Sequence, residues 1–286
     1  MVEISDSRLD HYRQNTYRLK DDLKLQDEAD ALSFVKERGF VYFWPIKGIQ
    51  LPSLWAAVAG NRPVADAHDD PGHVTWGWKD AMLDKRRWYY AKGLRGRAMM
   101  ISLTVAPFFY ALSENYGDPE SDYLQLYEDG LLSREAKAIY ETLLHQGPLA
   151  TVTLRRKIHM TGKASNSPFE RGLVTLQRDF KILPTGIAEV GGWRYSFIYD
   201  LVHRYYPDLP AKARPITRKA ARQELVGLYF DSVGAAREPD VRKLFQWPRK
   251  DINSSLSALI EAGKLVDGCR LEGKEDAYFA LPALVQ

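Results

Sequence analysis

The clearest apolar periodicity lies in residues 133–199. Ala138, Ile139, Leu143 and Leu144 recur at helical spacing behind Ser133, which is placed to cap a helix that Gly147-Pro148 ends. Residues 149–153 read as a short extended link, and 154–160 as a helix of about two turns. Turn chemistry fills Thr161-Gly162-Lys163-Ala164-Ser165-Asn166, and Asn166 or Ser167 caps a third helix with Pro168 in its first turn. Phe169, Leu173, Leu176 and Phe180 stripe that helix at i, i+4, i+7 and i+11. Apolar runs over 182–189 and 193–199, joined at Gly191-Gly192, read as a β-hairpin. Three helices followed by a two-stranded wing is the winged-helix order.

The order returns near the C-terminus. A helix over 222–232 carries Leu225, Leu228, Tyr229 and Phe230 and stops at Gly234. A short helix over 239–245 precedes a third over 248–262, with Ile252, Leu256, Leu259 and Ile260 inward. Residues 264–266 and 277–281 read as wing strands around Glu272-Gly273-Lys274. The repetition predicts an internal structural duplication. The first third is less regular. It reads as a helix over 27–38, an apolar run over 40–44, a helix over 52–59 and a polar, aromatic loop over 68–78. A basic helix over 79–94 and an apolar one over 98–115 follow, the whole an elaborated winged-helix-like domain. Gly117-Asp118-Pro119 and the stretch from Tyr206-Pro207-Asp208-Leu209-Pro210 to Pro215 mark boundaries. The expected organisation is an N-terminal extension (1–24) and domains at 25–117, 123–206 and 216–286. The expected fold class is α+β, mainly helical, with three tandem winged-helix modules.

Composition is that of a globular chain: 286 residues, 45% hydrophobic and 27% charged. The single cysteine, Cys269, excludes a disulfide framework and a Cys-based zinc site and fits a reducing cytoplasm. No apolar run approaches the ~20 residues needed to span a bilayer. The polar, acidic first ten residues hold no signal-peptide core, so a cytoplasmic, nucleoid-associated protein is expected. Net charge is only +3, from 40 basic and 37 acidic residues, but it is segregated. Residues 1–37 hold six basic and nine acidic residues, whereas 79–100 hold seven and two, and 134–200 ten and six. Residues 212–222 hold five basic side chains and no acid. Such blocks point to an anionic partner; alternatively they solvate helix faces.

In a winged helix the third helix lies in or near the major groove. In the second module it offers Ser165, Asn166, Ser167, Arg171, Thr175 and Arg178, with Arg155, Arg156 and Lys157 on the helix before it and Trp193 and Arg194 at the wing. The third module's equivalent is poorer, with Arg249, Lys250, Asn253 and Ser254 followed by Glu261. Lys85-Arg86-Arg87-Trp88-Tyr89-Tyr90 mixes cations with aromatics, as phosphate-gripping and base-stacking segments do. An exposed aromatic among those arginines would favour single-stranded or distorted nucleic acid, whereas buried ones make this an ordinary amphipathic element. Catalytic signals are sparse. His68-Asp69-Asp70 and His73 have metal-ligand chemistry, but Pro71-Gly72 between them makes a turn the simpler reading. No phosphate loop, His-Glu-x-x-His helix or serine elbow is present. No cofactor or metal is expected.

Arg38-Gly39-Phe40-Val41-Tyr42-Phe43-Trp44-Pro45-Ile46 resembles the AlkZ/YcaQ family of bacterial crosslink glycosylases. The matching family segment reads Leu-Gly, two hydrophobics, Gln, hydrophobic, Asp or Gln, Pro. Arg87-Trp88-Tyr89-Tyr90-Ala91 is a weaker echo of the family's Tyr-Trp-Ala-His stretch. The resemblance implies three winged helices that bind duplex DNA and, in active members, excise alkylated or crosslinked purines. It places Tyr42 and Trp44 where the family's pair positions the attacking water. Tyrosine, with a reference pKa of about 10, is a poor base. Tryptophan only donates a hydrogen bond. The alternative is that both are core aromatics of a strand. The family's C-terminal β-barrel is expected to be missing.

These readings favour a monomeric, cytoplasmic protein that binds double-stranded DNA and recognises damaged or distorted duplex without the usual catalytic pair. Binding would be led by phosphate contacts from Arg86, Arg87, Arg95, Arg155, Arg156 and Lys157. One alternative is an active glycosylase with a relocated base, for which Asp69, Asp70 and Glu114 are candidates. The other is a transcription regulator or a scaffold whose aromatics over 76–90 face a partner. No membrane contact is expected.

Overall fold

In the computed structural model, which describes residues 2–113, 115, 117–191 and 194–285, one local order recurs three times: helix, strand, helix, helix, then two strands. The chain begins with β1 (Glu3–Ile4) and α1 (Asp6–Thr16). The first run is α2 (Glu28–Arg38), β2 (Phe40–Tyr42), α3 (Leu54–Ala59), α4 (Val74–Leu83), β3 (Tyr89–Lys92) and β4 (Ala98–Ile101). Helices α5 (Ala106–Tyr110) and α6 (Asp122–Glu128) lead to the second run. That run is α7 (Arg134–Gln146), β5 (Leu149–Ala150), α8 (Thr151–Lys157), α9 (Asn166–Arg178), β6 (Ile182–Ala188) and β7 (Ser196–Leu201). Short α10 (Val202–Tyr205) and α11 (Leu209–Ala213) follow. The third run is α12 (Arg218–Val233), β8 (Ala235–Ala236), α13 (Glu238–Phe245), α14 (Arg249–Glu261), β9 (Val266–Leu271) and β10 (Tyr278–Ala280). The fold is mixed α+β and mainly helical. Within each run the strands pair first–third–second, giving β2-β4-β3, β5-β7-β6 and β8-β10-β9.

The same local chemistry frames the first helix of every run. Asp27, Ser133 and Thr217 cap α2, α7 and α12 by accepting backbone N–H groups of the first turn, and Gly39, Gly147 and Gly234 stop them. Gly234 is under double constraint: its φ is +76°, and a Cβ there would sit 2.7 Å from Tyr12 and 2.8 Å from Leu284. Tyr12 belongs to the N-terminal segment, which packs on the third run although it is sequentially nearest the first. β1 extends the third sheet parallel to β9. Arg13 donates to the Val233 and Ala235 carbonyls, and Thr16 to that of Ser232.

The first sheet lies at the centre of the molecule and is buried on both faces. Registers align Phe40, Ile101 and Tyr89 in one row, Val41, Met100 and Tyr90 in the next, and Tyr42, Met99 and Ala91 in the third. Side chains alternate across a sheet. The outer rows therefore join a core shared with α5, α12, α13, α14 and Phe180, while the middle row joins the core under α2, α3 and α4. This double burial overturns two expectations. The basic helix over 79–94 ends at Leu83, and Tyr89–Lys92 is a strand; the apolar helix over 98–115 is a strand plus the five-residue α5. The loop over 68–78 is in fact helical from Val74. A strand buried on both faces shows a continuous apolar run instead of alternation, and periodicity cannot tell that from a buried helix.

Candidate nucleic-acid interface

The hairpin β3–β4 places its tip, the turn Leu94–Gly96, between the second and third runs. One flank meets α9: the Lys92 amide donates to Gln177, Lys92 Nζ lies 3.6 Å from Glu170, and Gly96 sits against Val174. Glu170, Val174 and Gln177 form one helical face, and Phe169, Leu173 and Leu176 form the core face. The remaining side of α9 carries Ser167, Arg171, Thr175 and Arg178, of which only Thr175 is half-buried. The other flank of the tip meets α13. Arg95, held at φ +58°, donates to the Lys243 carbonyl at 2.6 Å, and the Lys243 ammonium lies against Gly48. Arg97 and Lys243 are exposed beside these contacts. Sequence reasoning missed both. The sole signal for Arg97 was the charge block over 79–100.

The remaining cations divide by what holds them. Arg156 and Lys157 are exposed at the end of α8 with no ion pair among the described residues. Arg155 is tied to Asn166 Oδ1 at 2.5 Å, lies 3.4 Å from Ser165 Oγ and packs 4.9 Å from the centre of the Phe169 ring. Arg171 donates to Ser167, Arg178 pairs with Asp179, and Arg194 with Glu189, all at the surface. Ser165 donates to the Gly162 carbonyl. Arg86 stacks over Tyr205, and Arg87 is exposed beside it. These two lie beyond the opposite end of β3 from the tip. Trp193 and Glu114 lie outside the described residues. Trp88, Tyr89 and Tyr90 are buried, so no aromatic of that segment is free to stack on a base.

Lys79, from the same basic block, is 1% exposed. Its ammonium donates to Tyr195 Oη at 2.7 Å, meets Asp80 at 2.6 Å and is ringed by Trp76, Tyr90, Tyr195 and Phe197. Burial holds it below the ordinary lysine range despite Asp80. It bolts α4 to the β6–β7 hairpin of the second run.

Tyr42 and Trp44 do not converge. Tyr42 is 1% exposed in the shared core, its hydroxyl 3.4 Å from the Leu94 carbonyl under the hairpin tip. Burial raises its pKa well beyond the ordinary tyrosine value, against the opposing charges of Arg95 and Arg97. Trp44, past the strand end, turns to the other side, with its ring 6.5 Å from Trp55, 5.7 Å from His73 and 5.9 Å from Trp76. It lines a recess of about 480 Å³ with Val64, Ala65, Asp66, His68, His73 and Trp76. Asp70 is committed to Arg62 at 2.6 Å and to the Gly72 amide, which depress its pKa; Asp69 is exposed. No group of three or more metal-binding side chains occurs among the described residues. Among them no helix is long and apolar enough to cross a membrane.

A profile of the AlkZ-related family matches residues 25–246, in keeping with the resemblance read from residues 38–46. No curated protein matches in sequence. Among solved structures, Streptomyces sahachiroi DNA glycosylase AlkZ has the same overall fold, with a TM-score of 0.61 at 12% identity over 98% of this chain and 71% of its own.

Proposed function

This chain belongs to the AlkZ-related family, and on that premise we propose that it binds duplex DNA and recognises damaged or distorted sites in it. In this reading the three runs are winged-helix modules at 25–117, 123–206 and 216–286, with residues 1–24 an extension clasped to the third. The recurring strand order and the likeness to a DNA glycosylase fold support it. The observation that carries it is the cationic strip. Arg156 and Lys157, the open face of α9 with Arg171 and Arg178, the hairpin tip with Arg95 and Arg97, and Lys243 follow one another across contacting elements. Salt-bridged partners such as Asp179 exchange readily for phosphates, because exposed pairs contribute little. Arg86 and Arg87, at the other end of β3, form a separate contact. The protein acts as a monomer in the cytoplasm, at the nucleoid.

The chain reads the site without hydrolysing it. Tyr42 is buried and Trp44 faces elsewhere, so no pair of acceptors meets to orient a water. The test is binding to intact, abasic-analogue and alkylated duplexes at two salt concentrations, with released base assayed in the same tubes. Tighter, salt-sensitive binding to the modified duplexes without base release is expected. Salt-insensitive binding would overturn the phosphate-led reading, and base release would make the protein an enzyme.

A further inference from the structure

We propose that the recess walled by Trp44 and Trp76 is a docking site for a single unpaired nucleobase, so that the distortion this protein recognises is an unstacked base; this rests on the duplex-binding reading. The recess has the size of small-ligand sites, about 480 Å³. Its two indoles meet at 82°, forming a corner. A planar ring laid on one face meets the edge of the other, the two favoured geometries for aromatic contact. Trp76 is 41% exposed although it is large and apolar, and it stands on α4, the helix that corresponds to α9 in its own run. Where α9 presents arginines to solvent, α4 presents an indole.

The polar groups point the same way. His73 Nε2 lies 3.0 Å from the Ala65 carbonyl, which can only accept, so that nitrogen carries the hydrogen. In the neutral ring the lone pair is then on Nδ1, which is buried and has no partner among the described residues. A buried acceptor without a donor is costly, and a turn of the His73 ring that opens Nδ1 to the recess would let the ring N–H or exocyclic amine of a base satisfy it. Among the described residues, Asp66 is the only formal charge of the lining apart from the two histidines, and no Lys or Arg lines it. Two cations that border it are both engaged: Arg62 is held on the Trp55 face and by Asp70, and Lys79, its ammonium 5.0 Å from the Trp76 ring, is held by Asp80 and Tyr195. The lining offers a phosphate no Lys or Arg to pair with, whereas a neutral base needs none. Backbone contacts are available next door: Trp76 and Tyr195 flank Lys79 together, which sets the recess beside the β6–β7 hairpin and its exposed Arg194.

The test uses the full chain and two duplexes, one fully paired and one with a single bulged 2-aminopurine, whose fluorescence falls when it stacks on an indole. The wild type should bind the bulged duplex about 5- to 100-fold more tightly, the range expected for one base–aromatic stack. The bulge should be quenched on binding. Trp76→Ala should lose both the preference and the quenching while binding the paired duplex as before. His73→Phe, which keeps an aromatic wall, should retain quenching but lose part of the preference. Equal affinity for the two duplexes, or quenching that survives Trp76→Ala, overturns the recess as a base site and leaves duplex binding standing. Failure to bind either duplex overturns both.

Discussion

Replacing Lys79 probes the joint between α4 and the second run, and the structure sets the size of the effect. The side chain is 1% exposed, its ammonium is shared between Asp80 and Tyr195, and four rings surround it at 4.6–5.5 Å. Lys79→Ala removes three buried methylenes, about 2.4 kcal/mol at about 0.8 each. Loss of the cation over the rings adds about 0.5–2 kcal/mol. The expected total is about 3–4 kcal/mol, or roughly 6–16 °C in melting temperature for a chain of this size. Lys79→Met keeps the volume and removes the charge. Apolar replacement of a buried ion is often neutral, and Asp80 retains the Tyr195 hydroxyl at 3.0 Å, so this variant should lose only about 1 kcal/mol. The two variants also separate in pH. Burial depresses the pKa of Lys79 in the folded chain only. Between its folded and unfolded values the unfolded chain therefore holds more protons, and stability rises with pH. Wild type should gain on Lys79→Met as pH climbs toward the ordinary lysine value, about 10.4. Urea unfolding followed by tryptophan fluorescence, kept below about pH 10, where unfolded tyrosines begin to ionise, measures this gain. A Met variant as unstable as the Ala variant, with a gap to wild type flat in pH, would refute the reasoning.

Further expectations concern the proposed cationic strip and the core. Removing both Arg156 and Lys157 should make the log–log salt slope of duplex binding shallower by about 1.8, and Arg97→Ala by about 0.9; unchanged slopes would take these residues off the interface. Arg155→Ala should instead lower the melting temperature, because Asn166, Ser165 and Phe169 lose their common partner. Tyr42→Phe should change stability by less than about 1 kcal/mol, since the only hydrogen bond of its hydroxyl among the described residues is long, and leave duplex affinity as it was. A large affinity loss would put that hydroxyl on the DNA. Gly234→Ala should cost about 2–3 kcal/mol from its left-handed backbone and the clash with Tyr12 and Leu284; an unshifted thermal transition would refute this.

What could be read from the chain follows from how each sheet is buried. The second run was legible apart from its second helix, which is Thr151–Lys157 where 154–160 was read after an extended link, because its long helices are amphipathic and its hairpin is partly exposed, so Phe169, Leu173 and Leu176 stand out at helical period. In the third run α13 and α14 were legible for the same reason, whereas α12 starts at Arg218, before the 222 read for it, and β9 is Val266–Leu271 where the strand was read at 264–266. The first run resisted because its sheet packs on both faces: Trp88, Tyr89, Tyr90 and Ala91 are all buried, and so are Met99, Met100 and Ile101. The left-handed turn at Arg86, which ends any helix there, has no signature in an arginine. The cations were legible as a block but not as a surface. Residues 79–100 separate into Lys79 in an aromatic cage, Arg86 against Tyr205, Lys92 beside Glu170, and Arg95 and Arg97 at the hairpin tip. The recess was missed because its two indoles, Trp44 and Trp76, lie on different elements, and the histidines between them read as a turn.

The fate of the two family positions is decided by where β2 ends. Residues two apart on a strand share a face, and a pair that must hold one water needs that geometry. Phe40 and Tyr42 keep the parity, both entering the core shared with the third run, and Val41 and Phe43 enter the core below α3 and α4. Had the strand continued, Trp44 would have joined Tyr42. The strand stops at Tyr42 and Pro45 follows Trp44, so the indole swings to the α3–α4 side and stacks with Trp55. A tyrosine at the first position suits a closed core, where its pKa is driven up and no base is left. A tryptophan at the second suits an open recess, where an aromatic face is more useful than an acceptor. Restoring a glutamine at Tyr42 alone would bury an amide beside Leu94 without a facing partner, and restoring both positions would leave them on opposite sides of the sheet. Backbone direction thus keeps Tyr42 and Trp44 apart as surely as their side-chain chemistry differs, and the same change of direction brings Trp44 to the corner with Trp76.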